Sequence, residues 1–436
     1  MKKKIFAIIL ILLLLFSVPA QAYQISGFEL HSEAALLVSL DTGDVLYSKN
    51  AEKKMYPASL AKIMAAIVTI ENISDLENEE IPYTESANNK ILGTGSVVLG
   101  LKIGEKMKAK DALAALLISS CGDVAYAISE YIGGTTEGFV DKMNAKCAEL
   151  GLENTHFTNP VGLHDDNLYT TAKDIATMTQ HALKYDIFKK VISCTSYKLS
   201  PTNMAKERTI ISTNMMITPS SSVFYQYATG GKTGFTDEAG RCLMSTAQYE
   251  GYNYLAVVMN AKTINGTRYE FIDSANMYRW AFTSFEYKTV LDSTTPVVEA
   301  PVELSMETDF VSACLEGGLN ALLPKDADSS TIKLEPKLSK ESFDAPIKQG
   351  DVLGTADIFY AEEKIGTLNL VASKSVRRSG MLAFLRVLKQ VFSSPIMIAI
   401  YVIVLLAAAV FVYFTVRLNM NRKKRRKVKY KPLNKN

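Results

Sequence analysis

The chain has 436 residues, with 48 Lys and Arg against 45 Asp and Glu, a formal net charge of +3. That near balance hides a segregation: three basic residues stand at positions 2–4 and ten follow Val416, with no acid in either segment, so the 35 basic and 45 acidic residues between them carry −10. An acidic body gives no electrostatic support for nucleic-acid binding; four histidines without ligand spacing give none for a metal centre; and five cysteines, an odd number without a Cys-x-x-Cys pair, argue against a full disulfide framework.

Residues 1–22 read as a secretory signal peptide: Lys2-Lys-Lys4, an apolar run over 5–16, then Ala20-Gln-Ala22 as a small-x-small cleavage site. Ala34–Leu40 and Val45–Ser48, joined through Asp41-Thr-Gly-Asp44, predict a β-hairpin. Tyr56-Pro-Ala-Ser-Leu-Ala-Lys62 then opens a helix whose continuation, Ile63–Ile70, is apolar nearly all round. Pro57 sets one backbone angle before the helix, and Ser59 sits where a hydroxyl suits the unsatisfied amides of the first turn. Lys62 shares a helix face with Ser59, one turn on. A serine hydroxyl is a weak nucleophile until a base takes its proton, and an amine kept partly neutral by burial is such a base. Ser-x-x-Lys alone is a weak signal, since Ser330-Thr-Ile-Lys333 repeats it in a polar stretch without partner motifs. The apolar helix behind Lys62 is what distinguishes the first occurrence.

Residues 80–110, with Gly93, Gly95, Gly100 and Gly104, read as irregular surface chain. Helices are predicted over Lys110–Ser119, which runs into Ser120-Cys-Gly-Asp123, then over Val124–Tyr131, Phe139–Leu150 and Thr171–Tyr185, with a loop at Thr155–Asn167. Gly230-Gly-Lys-Thr-Gly-Phe-Thr-Asp-Glu-Ala-Gly240 is followed by strand-like runs Cys242–Ala247 and Tyr254–Met259 and a closing helix, Tyr269–Phe282. Helices inserted between an early hairpin and late strands predict a mixed α+β domain over 23–285, its sheet joining both ends. Short alternating runs over 286–372 predict a small all-β, sandwich-like domain. Residues 373–395 form a juxtamembrane segment whose Met381–Phe392 has apolar positions at helical spacing, an interfacial helix or a plain linker. Residues 396–416 lack charge and are long enough to span a bilayer. The basic tail 417–436 fits the cytoplasmic side.

Ser59-x-x-Lys62, Ser120 at a helix end and Lys232-Thr233-Gly234 on a late strand, in that order, resemble the penicilloyl-serine hydrolases. Tyr56–Lys62, Leu116-Leu-Ile-Ser-Ser120, the loop Asn154–Leu163 and Gly231–Gly240 are similar to the D-alanyl-D-alanine carboxypeptidases, low-molecular-mass penicillin-binding proteins, over nearly all of residues 23–372. The resemblance implies an antiparallel sheet flanked by helices, with Ser59 as nucleophile, Lys62 as base, Ser120 as proton relay, and Lys232, Thr233 and Gly234 receiving the substrate's carboxylate and backbone. It implies peptidoglycan stem peptides as substrate, β-lactams as covalent inhibitors, and no cofactor. The family's second motif is Ser-x-Asn; here it is Ser120-Cys-Gly122. Glycine in place of the amide is expected to leave a gap and depress activity, so that Gly122→Asn would raise it. Two rival readings are a weakened relative that only binds stem peptides and a β-lactamase, for which no distinct glutamate motif is present.

Overall fold

The computed structural model describes residues 29–291, 295–317, 319–328, 332–360 and 362–428; the leader read over 1–22, Ser330 and the last eight residues of the tail lie outside them. Contacts divide the chain into two compact units, one up to Glu286 and one from Tyr287 onward.

The first unit begins with β1 (Ser32–Ser39), β2 (Val45–Lys49), α1 (Ala61–Asn72), β3 (Glu80–Pro82), α2 (Glu85–Ile91) and β4 (Lys106–Lys108). A helical stretch follows: α3 (Ala109–Ile118), α4 (Gly122–Gly133), α5 (Thr136–Glu149), α6 (Ala172–Ala182) and α7 (Asp186–Ile192). The chain then makes β5 (Ser196–Leu199), β6 (Arg208–Ile211), β7 (Ala228–Thr236), β8 (Gly240–Tyr249), β9 (Tyr252–Ala261), β10 (Thr263–Ile264), β11 (Thr267–Arg268) and α8 (Tyr269–Ser284). The main sheet, in the order β2-β1-β9-β8-β7, is antiparallel throughout, so the expected α+β fold and the union of early hairpin with late strands are what the structure has.

Alternation along β1 explains the layering. Ala34, Leu36 and Val38 belong to the large core that holds α1 and α3, while Ala35 and Leu37 between them are equally buried on the other face. That second face is covered by α8, whose Tyr278 hydroxyl accepts from the Ala256 amide and donates to the Ser245 carbonyl. With both faces covered, β8 and β9 are buried on both sides through their middles, and β9 is apolar from Tyr254 to Met259 rather than alternating. Helix starts follow the side chains: Thr84, Thr135 and Thr171 each accept a hydrogen bond from an amide of the first turn of α2, α5 and α6.

Residues 80–110 correct the expectation of irregular chain. Ile81 and Met107 are buried opposite one another in the β3–β4 hairpin, and Ala87 and Ile91, four apart, bury one face of α2. The four glycines all lie beyond α2, and only 92–105 is irregular. The short hairpin β5–β6 and helix α7 were not legible at all.

In the second unit β12 (Phe285–Leu291) pairs with β15 (Leu319–Pro324). The strands β13 (Pro296–Glu303), β14 (Phe310–Leu315), β16 (Ile332–Leu338), β17 (Phe343–Asp344), β18 (Val352–Tyr360) and β19 (Glu363–Ala372) form a six-stranded sheet in the order β16-β18-β19-β14-β13-β17. Its core is small, centred on Val311, Ala313, Ala356 and Leu370. Two helices follow, α9 (Gly380–Phe392) and α10 (Pro395–Val428). Residues 395–420 of α10 are long and apolar enough to cross a membrane. Arg386 of α9 pairs with Glu303 and Asp344 of the sheet, whereas Met381, Phe384, Val391 and Phe392, on the opposite side of the helix, are exposed.

All of Ile63–Val68 in α1 is buried. Ile67→Ala is therefore expected to cost about 2–5 kcal/mol, read as a lower denaturation midpoint for the first unit. A loss under ~1 kcal/mol would place this helix outside the core.

Candidate active site

Pro57 leads into one 3₁₀ turn, Ala58–Leu60, before α1 proper. Ala58 holds φ +46°, the left-handed region that a residue with a Cβ avoids, so the turn under Ser59 is strained. Ser59 caps no amide, contrary to the sequence reading, because α1 begins two residues later and its capping residue is Leu60. The hydroxyl is instead 2.9 Å from the Lys62 amine. Lys62 is 1% exposed, and burial pushes its pKa down to about 7.

The second partner of the Lys62 amine is the Val161 carbonyl, at 2.7 Å. Asn159 shapes the loop that presents this carbonyl: its side-chain oxygen accepts from the amides of Val161, Gly162 and Leu163, and its amide donates to the Leu163 carbonyl. At Gly162 (φ +84°) the loop crosses the nucleophile turn so closely that a Cβ would lie 1.8 Å from the Ala58 carbonyl oxygen. Only glycine passes there.

β7 is an edge strand of the sheet and packs its inner side against the same turn. A Cβ on Gly234 would stand 3.2 Å from the Ser59 nitrogen, so the bare backbone at this position lets strand and nucleophile meet. Lys232 is fully buried; burial first, then the Lys62 amine, hold its pKa far below the ordinary lysine value. Its amine donates to the Thr233 carbonyl, and the Thr233 hydroxyl donates to that of Thr213 at 2.6 Å. Ser120, just after α3, has φ +62° and a buried hydroxyl without a hydrogen-bond partner among the described residues. Ser59, Lys62, Ser120, Thr233 and Gly234 line one cleft of about 960 Å³, and Lys232 lies behind it on the same strand.

Sequence reasoning missed several residues of this cleft. Arg268 lines it, held by its Glu270 pairing and stacked at 4.6 Å over Phe271. Thr94, Gly95, Ser96 and Val97 line it too. The Asp123 carboxylate draws their loop inward by accepting from the amides of Leu99, Gly100 and Leu101. A buried acid in the first turn of α4 was the available signal for the loop; a lone Arg-x-Glu offered none for Arg268.

The expectation of a gap at Gly122 is corrected. A Cβ there would fall 2.7 Å from the Ile91 Cδ1, 3.1 Å from the Ser96 Cβ and 3.1 Å from the Val161 Cγ1. The space is filled by protein, and the Gly122 amide donates to the Val97 carbonyl.

A serine held by a buried lysine, at the edge of an antiparallel sheet covered on both faces, defines a serine-type hydrolase. Comparison with known proteins narrows this: the family model "D-alanyl-D-alanine carboxypeptidase" matches residues 19–263, and "Penicillin-binding protein 5, C-terminal domain" matches 285–378. The chain belongs to the D-alanyl-D-alanine carboxypeptidase family. It is 30% identical to the D-alanyl-D-alanine carboxypeptidase DacF of Bacillus subtilis over 81% of this chain and 88% of that protein. It is 28% identical to DacC of Escherichia coli over 80% and 85%. Among solved structures, DacD of Francisella tularensis superposes with a TM-score of 0.63 at 25% identity, covering 82% of this chain and 96% of that one. Penicillin-binding protein 5 of Haemophilus influenzae gives 0.62 at 24%, covering 81% and 100%, a likeness of fold.

Because the neighbours of Gly122 leave no room, Gly122→Asn is expected to lower D-alanine release rather than raise it. Overpacking of this kind costs about 1–3 kcal/mol, so a melting temperature reduced by a few degrees should accompany the loss. An active variant of unchanged stability would show that Ile91 and the 92–102 loop yield freely.

Proposed function

We propose that Ser59 attacks the carbonyl between the two terminal D-alanines of a peptidoglycan stem peptide, with Lys62 as its general base. The observation that carries this reading is the 2.9 Å contact between a half-buried hydroxyl and an amine that burial brings to about 7. A neutral amine has one lone pair; donating a hydrogen to Val161 leaves that pair free to take the Ser59 proton. The Ser59 Oγ–C bond forms, and the negative charge on the carbonyl oxygen faces the amide of Ser59 and an amide of β7. The carbon–nitrogen bond then breaks, the proton held by Lys62 passes through the unpartnered Ser120 hydroxyl to the leaving amine, and free D-alanine departs. Water attacks the ester by the reverse proton route and releases the shortened peptide.

Binding uses the edge of β7. An extended peptide end adds as a strand, with Thr233 and Lys232 at its carboxylate. Burial disfavours the charge on Lys232 in the empty cleft and an arriving anion favours it, so the carboxylate and the Lys232 cation stabilise one another. A β-lactam follows the same path up to the ester, but its nitrogen stays tethered, giving a covalent adduct on Ser59.

For the rest of the chain we read 1–22 as the signal peptide, 23–285 as the catalytic domain, 286–372 as the β-domain and 373–395 as the juxtamembrane segment. Residues 396–416 then form one membrane span, with 417–436 cytoplasmic and the catalytic domain facing the wall. The α9 helix supports an interfacial placement: one side is tied to the β-domain through Arg386, and the other is an exposed apolar stripe that runs into the span.

Ser59→Ala is expected to abolish both penicillin labelling and D-alanine release while changing stability by less than about 0.5 kcal/mol. Loss of the fold in that variant would make Ser59 a structural residue, and a wild-type chain that binds stem peptides without labelling would support the weakened relative. The acylation rate should rise about tenfold per pH unit on the acid side of the Lys62 value near 7 and level off above it, since only the neutral amine accepts the proton. A flat rate profile from roughly pH 5 to 9 would remove Lys62 from the role of base.

A further inference from the structure

A peptide lying along β7 turns some of its backbone groups to that strand and the others away from it. Those turned away enter a cleft partly closed to water, where an unmatched carbonyl is costly. The wall they meet is built from the start of α4 and the loop above it, which carry three hydroxyls into the cleft: Ser120, Thr94 and Ser96. The Thr94 hydroxyl is engaged, donating to the Ile91 carbonyl and accepting from the Ser96 amide. Ser120 serves the proton path in the reading above. Ser96 remains: it is half-buried, and its hydroxyl has no protein partner among the described residues.

The loop is held so that Ser96 stays on this wall. The Gly122 amide donates to the Val97 carbonyl at 2.7 Å, and the Asp123 carboxylate gathers the next three loop amides. The Ser96 Cβ lies 3.1 Å from the position a Cβ of residue 122 would take. Ser96 thus occupies space that any side chain at 122 would need, and glycine there is the condition for the loop to close down.

We propose that Ser96 is a substrate-contacting residue of this enzyme, its hydroxyl donating a hydrogen bond to the substrate carbonyl that precedes the penultimate D-alanine. This rests on the Ser59 acyl-transfer reading. The N–H of that same peptide unit points the opposite way, toward β7, so strand and hydroxyl grip one unit from both sides. A serine hydroxyl suits the position because it is short enough to fit above Gly122 and free to rotate toward its acceptor.

The test is a cycle between enzyme and substrate, using the full chain in detergent and an acetylated Lys-D-Ala-D-Ala peptide. Its partner is the analogue carrying a thioamide before the penultimate D-alanine, whose sulfur is a poor acceptor. Wild type is expected to prefer the oxygen peptide in kcat/KM by about three- to tenfold, the worth of one neutral hydrogen bond. Ser96→Ala should lose about that factor on the oxygen peptide and show a preference near one, while Ser96→Thr restores it. A Ser96→Ala enzyme that keeps the wild-type preference, or the wild-type kcat/KM, would overturn the contact. Penicillin labelling of Ser59 in the wild type is run alongside: labelling with no effect of Ser96→Ala sinks this proposal alone, whereas absence of labelling sinks the acyl-transfer reading and this proposal with it.

Discussion

The site depends on one ammonium group being placed where water does not reach. Lys62 is 1% exposed in a helix that is buried around its whole circumference, and the unsolvated cation is so disfavoured that its pKa falls to about 7. Everything nearby serves that placement. The Asn159 loop supplies a single carbonyl, enough to orient an amine but too little to stabilise a full positive charge. The strained turn at Ala58 and the bare crossing at Gly162 bring the hydroxyl within reach. Burial is both what orders the first unit and what lowers the pKa of the lysine.

The second buried lysine sharpens the constraint. Lys232 is buried behind the same cleft, where burial first and then the Lys62 amine disfavour a charge on it. Arg268, tied to Glu270, adds positive character to the lining without entering the competition, because its charge is already matched.

Much of this was readable beforehand, for physical reasons. Helices α1 and α3 announced themselves because burial on all sides leaves a long apolar run, and the Ser59–Lys62 pair stood out through its spacing together with the run behind it. The Lys232–Gly234 strand was recognisable by its motif. What escaped notice had only local or tertiary causes. The strands β3 and β4 are three residues each, too short for a period to show. The four glycines after α2 concealed a helix that ends just before them. Gly122 was misjudged because a sequence shows which side chain is absent but not what moves into its place; Ile91, Ser96 and Val161 come from two distant segments. Asn159 works through backbone amides, which leave no mark in residue types, and Asp123, visible as an acid in the first turn of α4, gives no sign of which amides it gathers.

Cys121, Cys147, Cys194 and Cys242 are free thiols, and all of these but Cys194 are buried. Cys121 is adjacent to Ser120, yet burial, reinforced by Asp123, lifts its pKa to about 12, so almost no thiolate forms beside the reacting groups. Electrophiles that poison cysteine enzymes meet a protonated, sheltered thiol at Cys121.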